Sequence, residues 1–189
     1  MKNEPILSSL KREFKGLTLF IAVIWIVFFL DLFLPLERFA LFPRHLTGLP
    51  GIIFSPFLHK DFSHIFSNSV PLVTLLALLA GSRANSAKTV GILILTSGLL
   101  LWLFGRSVPV IGASGLVFAL IGFLVASGFF ERRLLAIGVG LFVGFSYGGT
   151  LLFGILPGQS GISWDGHLFG AVAGVITAWG LSRRIAQAR

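Results

Sequence analysis

Cysteine is absent from the 189 residues. Disulfides and thiolate metal sites are therefore excluded, although the absence does not identify a compartment. Charge is scarce: 12% of residues are charged, against ~25% in soluble domains. Acidic residues are the rarest part of it, with seven Asp and Glu against fifteen Lys and Arg. No low-complexity segment and no internal repeat stands out. The chain is instead apolar, with 55% hydrophobic residues and a mean hydropathy of +0.94. A multi-pass integral membrane protein follows, and runs of about 20 apolar residues make it all-α. The length allows one domain and no large soluble appendage. The net charge of +8 is read as basic loops facing anionic lipid, not as a nucleic-acid surface.

Residues 1–16 are polar and basic, with Ile6, Leu7, Leu10 and Phe14 at the spacing of a short interfacial helix. Residues 17–182 are the expected membrane core and residues 183–189 a basic tail. Six spans are expected: Leu17–Leu36, Phe62–Gly81, Thr89–Gly105, Val108–Phe130, Leu134–Pro157 and Trp164–Leu181. The first is long enough to cross and has no small-residue cleavage site after it, so it reads as a span rather than a signal peptide. Between the first two spans, Glu37–Asp61 carries Pro43, Pro50 and Pro56 among Phe, Leu and Ile. It is too apolar for a solvated loop and too interrupted to span. A partly embedded loop packed on protein is expected. The fifth span is rich in glycine (Gly138, Gly140, Gly144, Gly148, Gly149, Gly154), so it is expected to be loosely held.

Charge sets the orientation. With a cytoplasmic N-terminus, eleven of the fifteen basic residues lie inside. Only Arg38, Arg44, Lys60 and Arg106 lie outside. Both termini are thus expected in the cytoplasm. Spans two, four and six then start on the outer side. His64 and Asn68 open span two, Ser114 opens span four and His167 opens span six. Polar groups at one depth in a membrane imply a shared interior site.

Small residues offer a way to close it. His167, Gly170, Gly174 and Ala178 share one face of span six, while Gly115, Ala119, Gly122 and Ala126 share one face of span four. Such ridges let membrane helices meet backbone to backbone. Packing alone would explain the glycines but not the polar residue at the head of each ridge. A serine becomes a nucleophile when an adjacent base takes its proton, and His167 is the only histidine in the second half of the chain. Asp165 points to another side of its helix, so a Ser-His dyad is expected. Phe118, one turn after Ser114, can stack on the His167 ring. His64 and Asn68 share a face and can donate to an oxyanion with the Ser114 N–H. A purely structural interhelical hydrogen bond is the competing reading for that pair. Gly112 would leave room for a substrate backbone. His59 is either a support for the site or an interfacial residue.

These residues carry a family resemblance. Gly112-Ala113-Ser114-Gly115 resembles the GxSG motif of rhomboid intramembrane serine proteases. His64-xxx-Asn68 resembles their HxxxN motif, and His167-xx-Gly170-xxx-Gly174-xxx-Ala178 their sixth-helix motif. A bacterial inner membrane is expected from the small size of the chain; the resemblance implies a six-helix rhomboid-like bundle of the minimal bacterial type. It implies cleavage of transmembrane protein substrates near the outer face, with lipid as the other partner and no cofactor, metal or nucleic acid. Ser114 would be nucleophile, His167 base, and His64 and Asn68 oxyanion stabilisers, with the fifth span as a lateral gate. Phe118 stands where many members have tyrosine. The Trp-Arg pair common in their first loop is missing, so loop docking must differ.

Other readings remain open on the residues alone. A catalytically silent rhomboid-like client-binding protein would not need Ser114 and His167. A transporter using His64 and His167 as a relay would favour acidic residues along a through-path, and the inner halves of the spans have none. A metalloprotease would show HExxH, which is absent. An aspartyl type would need two facing intramembrane aspartates, whereas Asp31 and Asp165 lie near span ends.

Overall fold

The computed structural model describes residues 6–83, 85–158 and 161–187. Lys2 and Arg189, residues 159–160 of the last loop, and the side chains of Ile6, Leu7 and Arg184 lie outside that description. The described chain is helical: α1 (Ile6–Asp31), α2 (Gly51–Phe54), α3 (Phe62–Ser82), α4 (Ser86–Phe104), α5 (Ser114–Glu131), α6 (Leu134–Gly154) and α7 (Trp164–Gln187), with short 3-10 turns in the first loop.

Five helices are long and apolar enough to cross a membrane: α1 from Leu10 onward, α3, α4, α5 and α6. The sixth expected span, α7, has 24 residues and the length to cross, but it is less apolar. Its polar ends account for part of this. The rest comes from a face of Gly166, Gly170, Ala173, Gly174 and Ala178, small residues chosen for contact with protein rather than lipid.

Two element boundaries differ from expectation. The basic N-terminal segment and the first span form one continuous helix, which ends at Asp31 rather than Leu36. Pro35 disfavours helix at the residue before it, and the Asp31 carboxylate accepts from the Leu36 N–H (3.0 Å), turning the chain. At the other end of α1, buried Glu13 accepts from the Asn85 and Ser86 N–H groups (3.0 and 2.9 Å) and caps α4. The fourth span starts at Ser114, not Val108. Pro109 and a left-handed Gly112 (φ +115°) are incompatible with a helix there. Val110 instead pairs antiparallel with Leu41, exchanging both backbone hydrogen bonds (3.0 and 2.8 Å).

That bridge is one of several links holding the first loop on α4. The Arg44 N–H donates to the Trp102 carbonyl (3.0 Å), and its guanidinium to the Gly105 carbonyl and the Ser107 hydroxyl. Trp102 Nε1 donates to the His45 carbonyl (3.0 Å). The docking Trp and Arg therefore come from two different elements. Gly98 of α4 makes room for α2, since a Cβ there would lie 2.8 Å from the Ile52 carbonyl.

The middle of the bundle is α5, buried without a break from Leu116 to Leu124. A helix apolar all round belongs inside. Against it lies α7, at very close approach. A Cβ on Gly170 would fall 2.3 Å from the Gly115 carbonyl, one on Gly174 2.2 Å from the Ala119 carbonyl, and one on Gly122 2.5 Å from the Ala171 carbonyl. Gly115 itself has room, with its nearest neighbour at 3.6 Å. The outermost helix is α6, with only Ala136, Gly140 and Val143 buried. The close α5–α7 contact brings the first turns of both helices together, beside the first turn of α3.

Candidate active site

A cavity of about 720 Å³ opens where α3, α5 and α7 begin. Its walls include His64, Asn68, Ser114, Phe118 and His167, so the polar residues singled out by depth lie around one space. Each reaches it from the first two turns of a helix. Asp61 caps α3 by accepting from the His64 N–H (2.8 Å). At α7, the Ser163 carbonyl accepts from the His167 N–H (3.1 Å) and the Ser163 hydroxyl from the Gly166 N–H (3.2 Å). Ser114 is the first residue of α5, where backbone N–H groups have no intrahelical acceptor.

The His167 imidazole is held on two sides. Phe118 stacks on it, with ring centroids 4.0 Å apart and planes 5° from parallel. The Gly154 carbonyl, at the end of α6, accepts from His167 Nδ1 at 2.9 Å. A carbonyl can only accept, so Nδ1 carries the proton and Nε2 keeps its lone pair. A base in this tautomer is ready to take a proton from a hydroxyl. Gly154 must be glycine: a Cβ would stand 2.3 Å from Phe118 Cζ and 3.3 Å from His167 Nδ1. Sequence reading noticed Gly154 only as one of many glycines in its span, and no local motif marks it.

Asp165 does not approach the ring. It accepts from the Arg106 backbone N–H (2.8 Å), from the Arg106 guanidinium (3.0 Å) and from the Ser163 hydroxyl (2.9 Å). The aspartate fastens the end of α4 to the start of α7. In turn its hydrogen bond to Arg106 raises the guanidinium above its ordinary range.

Also lining the cavity, Asn68 is buried and its Nδ2 has no hydrogen-bond partner among the described residues. Buried donors are normally satisfied, so an orphan at a cavity wall suits an acceptor that arrives with a ligand. Gly112 sits beside it. A Cβ there would lie 2.6 Å from His64 Nε2 and 3.6 Å from Asn68 Nδ2, filling the space these donors face. His59 lies behind, only 2% exposed, and its Nε2 accepts from the Ala113 N–H (3.3 Å). Its ring meets His64 edge to face at 5.1 Å. Burial, with His64 adding to it, pushes the His59 imidazole down to about 4, against a smaller opposing effect of the Phe57 backbone.

Known proteins similar to this chain include three mycobacterial relatives. The uncharacterized protein Rv1337 of Mycobacterium tuberculosis is 44% identical over 158 residues, covering 78% of this chain and 65% of that protein. Mb1372 of Mycobacterium bovis matches to the same extent. ML1171 of Mycobacterium leprae is 39% identical over 142 residues, covering 70% of this chain and 56% of its own. The chain thus spans somewhat less than two thirds of the length of these relatives. Residues 46–184, well over half the chain, match the Rhomboid domain. That match takes in the later part of the first loop and the starts of all three helices that open the cavity, and the chain belongs to the rhomboid family.

Proposed function

We propose that this chain is a serine-type intramembrane endopeptidase using a Ser114–His167 dyad. The observation that carries the reading is the tautomer of His167. With Nδ1 donating to the Gly154 carbonyl, Nε2 keeps its lone pair, and His167 and Ser114 line one cavity.

In the first stage, Ser114 Oγ bonds to the scissile carbonyl carbon as its proton passes to His167 Nε2. The carbonyl π pair moves onto oxygen. Asn68 Nδ2, His64 and the Ser114 N–H meet that charge; the otherwise unpaired Asn68 amide then acquires its acceptor. The imidazolium returns the proton to the leaving nitrogen as the C–N bond breaks. Water then attacks the acyl-enzyme, giving its proton to His167, which passes it to Ser114 Oγ as the ester opens. Phe118 and Gly154 keep the ring in place throughout, doing the orienting work that a carboxylate does in a triad.

The substrates in this reading are transmembrane segments cut near the outer face of a bacterial inner membrane, with both termini of the enzyme cytoplasmic. The sparsely packed α6 is the element past which such a segment would enter. The test is cleavage of a transmembrane-segment substrate in liposomes by wild type, Ser114→Ala and His167→Ala. Both variants should lose activity by several orders of magnitude. Cleavage that survives Ser114→Ala sinks the mechanism.

A further inference from the structure

We propose that His59 is a positioning residue, whose single ring sets both the Gly112–Ala113 peptide and the His64 side chain on the donor side of the cavity. The inference rests on the serine-protease reading above. His59 does not line the main cavity and touches no reacting atom. It acts through its neighbours.

The residues just before Ser114 lie outside α5, with a bend at Gly112 and a turn at Ala113, so their N–H groups need acceptors from elsewhere. Two come from the first loop: the Ser55 carbonyl accepts from the Gly112 N–H (2.9 Å) and His59 Nε2 from the Ala113 N–H (3.3 Å). Together they direct two successive N–H groups into the loop and hold Gly112 in its left-handed conformation. The other contact of the ring is its edge-to-face packing on His64, whose Nε2 in turn lies against Gly112. His59, His64 and Gly112 form a continuous stack, ending one residue from Ala113 and two from Ser114. Loss of the acceptor would free the Ala113 peptide to rotate and would unseat His64. Because Nε2 accepts, the neutral ring carries its proton on Nδ1, which is buried and has no hydrogen-bond partner of good geometry among the described residues.

The experiment compares wild type, His59→Phe, His59→Gln and Ser114→Ala in proteoliposomes, reading kcat and KM separately together with the rate of Ser114 labelling by a fluorophosphonate. Phenylalanine keeps the ring and removes the acceptor; glutamine keeps a neutral acceptor at the same reach. His59→Phe should lower kcat and the labelling rate by about 10- to 100-fold, as loss of a supporting contact does elsewhere, with KM near wild type. His59→Gln should restore most of the loss. An unchanged kcat in His59→Phe, a loss confined to KM, or equal impairment in both variants overturns the proposal. In parallel, 15N-histidine NMR of the folded wild type should report His59 as the Nδ1-protonated neutral tautomer with a hydrogen-bonded Nε2. An Nε2-protonated ring overturns the proposal even if His59→Phe fails to fold. Activity that persists in Ser114→Ala instead removes the protease reading and leaves the tautomer measurement to judge the His59 contact by itself.

Discussion

Gly154 shows how a residue far in sequence from a motif can set the position of a side chain within it. Its carbonyl sets the His167 tautomer, and its missing side chain is the floor on which Phe118 and His167 rest. Gly154→Ala should therefore displace the stacked pair and reduce cleavage by at least about tenfold, since small misplacement of a catalytic base is costly. The thermal midpoint should fall much less than activity; equal loss of both would make Gly154 a general packing residue. A second residue-scale outcome concerns pH. The folded His59 pKa of about 4 lies below its ordinary 6.5, because burial and His64 disfavour the charged ring. His64 from α3, Lys60 and Asp61 beside it, Asp31 from α1, and Glu37 and Arg38 from the loop are the charged or titratable groups around it. Above pH 6.5 the ring is neutral whether folded or unfolded, and its contribution to stability is fully present. As pH falls from 6.5 toward 4, the unfolded chain takes up a proton that the folded chain refuses, and stability is lost. The thermal midpoint in detergent, followed from pH 7.5 to 4, should decline in that window more steeply for wild type than for His59→Gln.

Among the elements, the α5–α7 pair governs the site. Its closeness depends on Gly170 and Gly174, whose added Cβ atoms would meet the carbonyls of Gly115 and Ala119 at 2.3 and 2.2 Å. Backbone cannot yield as a flexible side chain can. Gly174→Val should force the helices apart and lower the thermal midpoint by several degrees, with overpacking typically costing 1–3 kcal/mol. Gly115→Ala, with 3.6 Å available, should be tolerated; circular dichroism melts of the two variants side by side would check the contrast. The first loop is a second determinant. The missing Trp-Arg pair within the loop implied a different docking, and here the docking contacts are made by Trp102 of α4 and Arg44 of the loop. Docked there, the loop supplies Ser55 and His59 to the segment leading to Ser114.

For the whole molecule, the distribution of Lys and Arg gives a directional expectation that the fold alone cannot supply. A reporter fused after Arg189 should read cytoplasmic, and an external reading would overturn the shared-depth reasoning that first linked Ser114 with His167. Much of the architecture was legible in the chain before any coordinates. Long apolar runs must become helices because lipid leaves backbone groups no other partner, and four polar residues at matching depth pointed to one cavity. Those are properties of composition and spacing, which survive without knowledge of contacts. Helix boundaries were less legible: with Pro109 and Gly112 before it the fourth span starts six residues later than expected, and Val110 pairs instead with Leu41, 69 residues away. Least legible were Gly154, Trp102 and His59. Each acts on a residue distant in sequence, through a carbonyl, an indole N–H or a ring nitrogen, and no periodicity records such a pairing. The sequence by itself determined a helical membrane bundle with a serine and a histidine at the heads of small-residue ridges. Only the tertiary structure decided which nitrogen of that histidine is free, because the tautomer depends on a hydrogen-bond acceptor that folding brings from another helix.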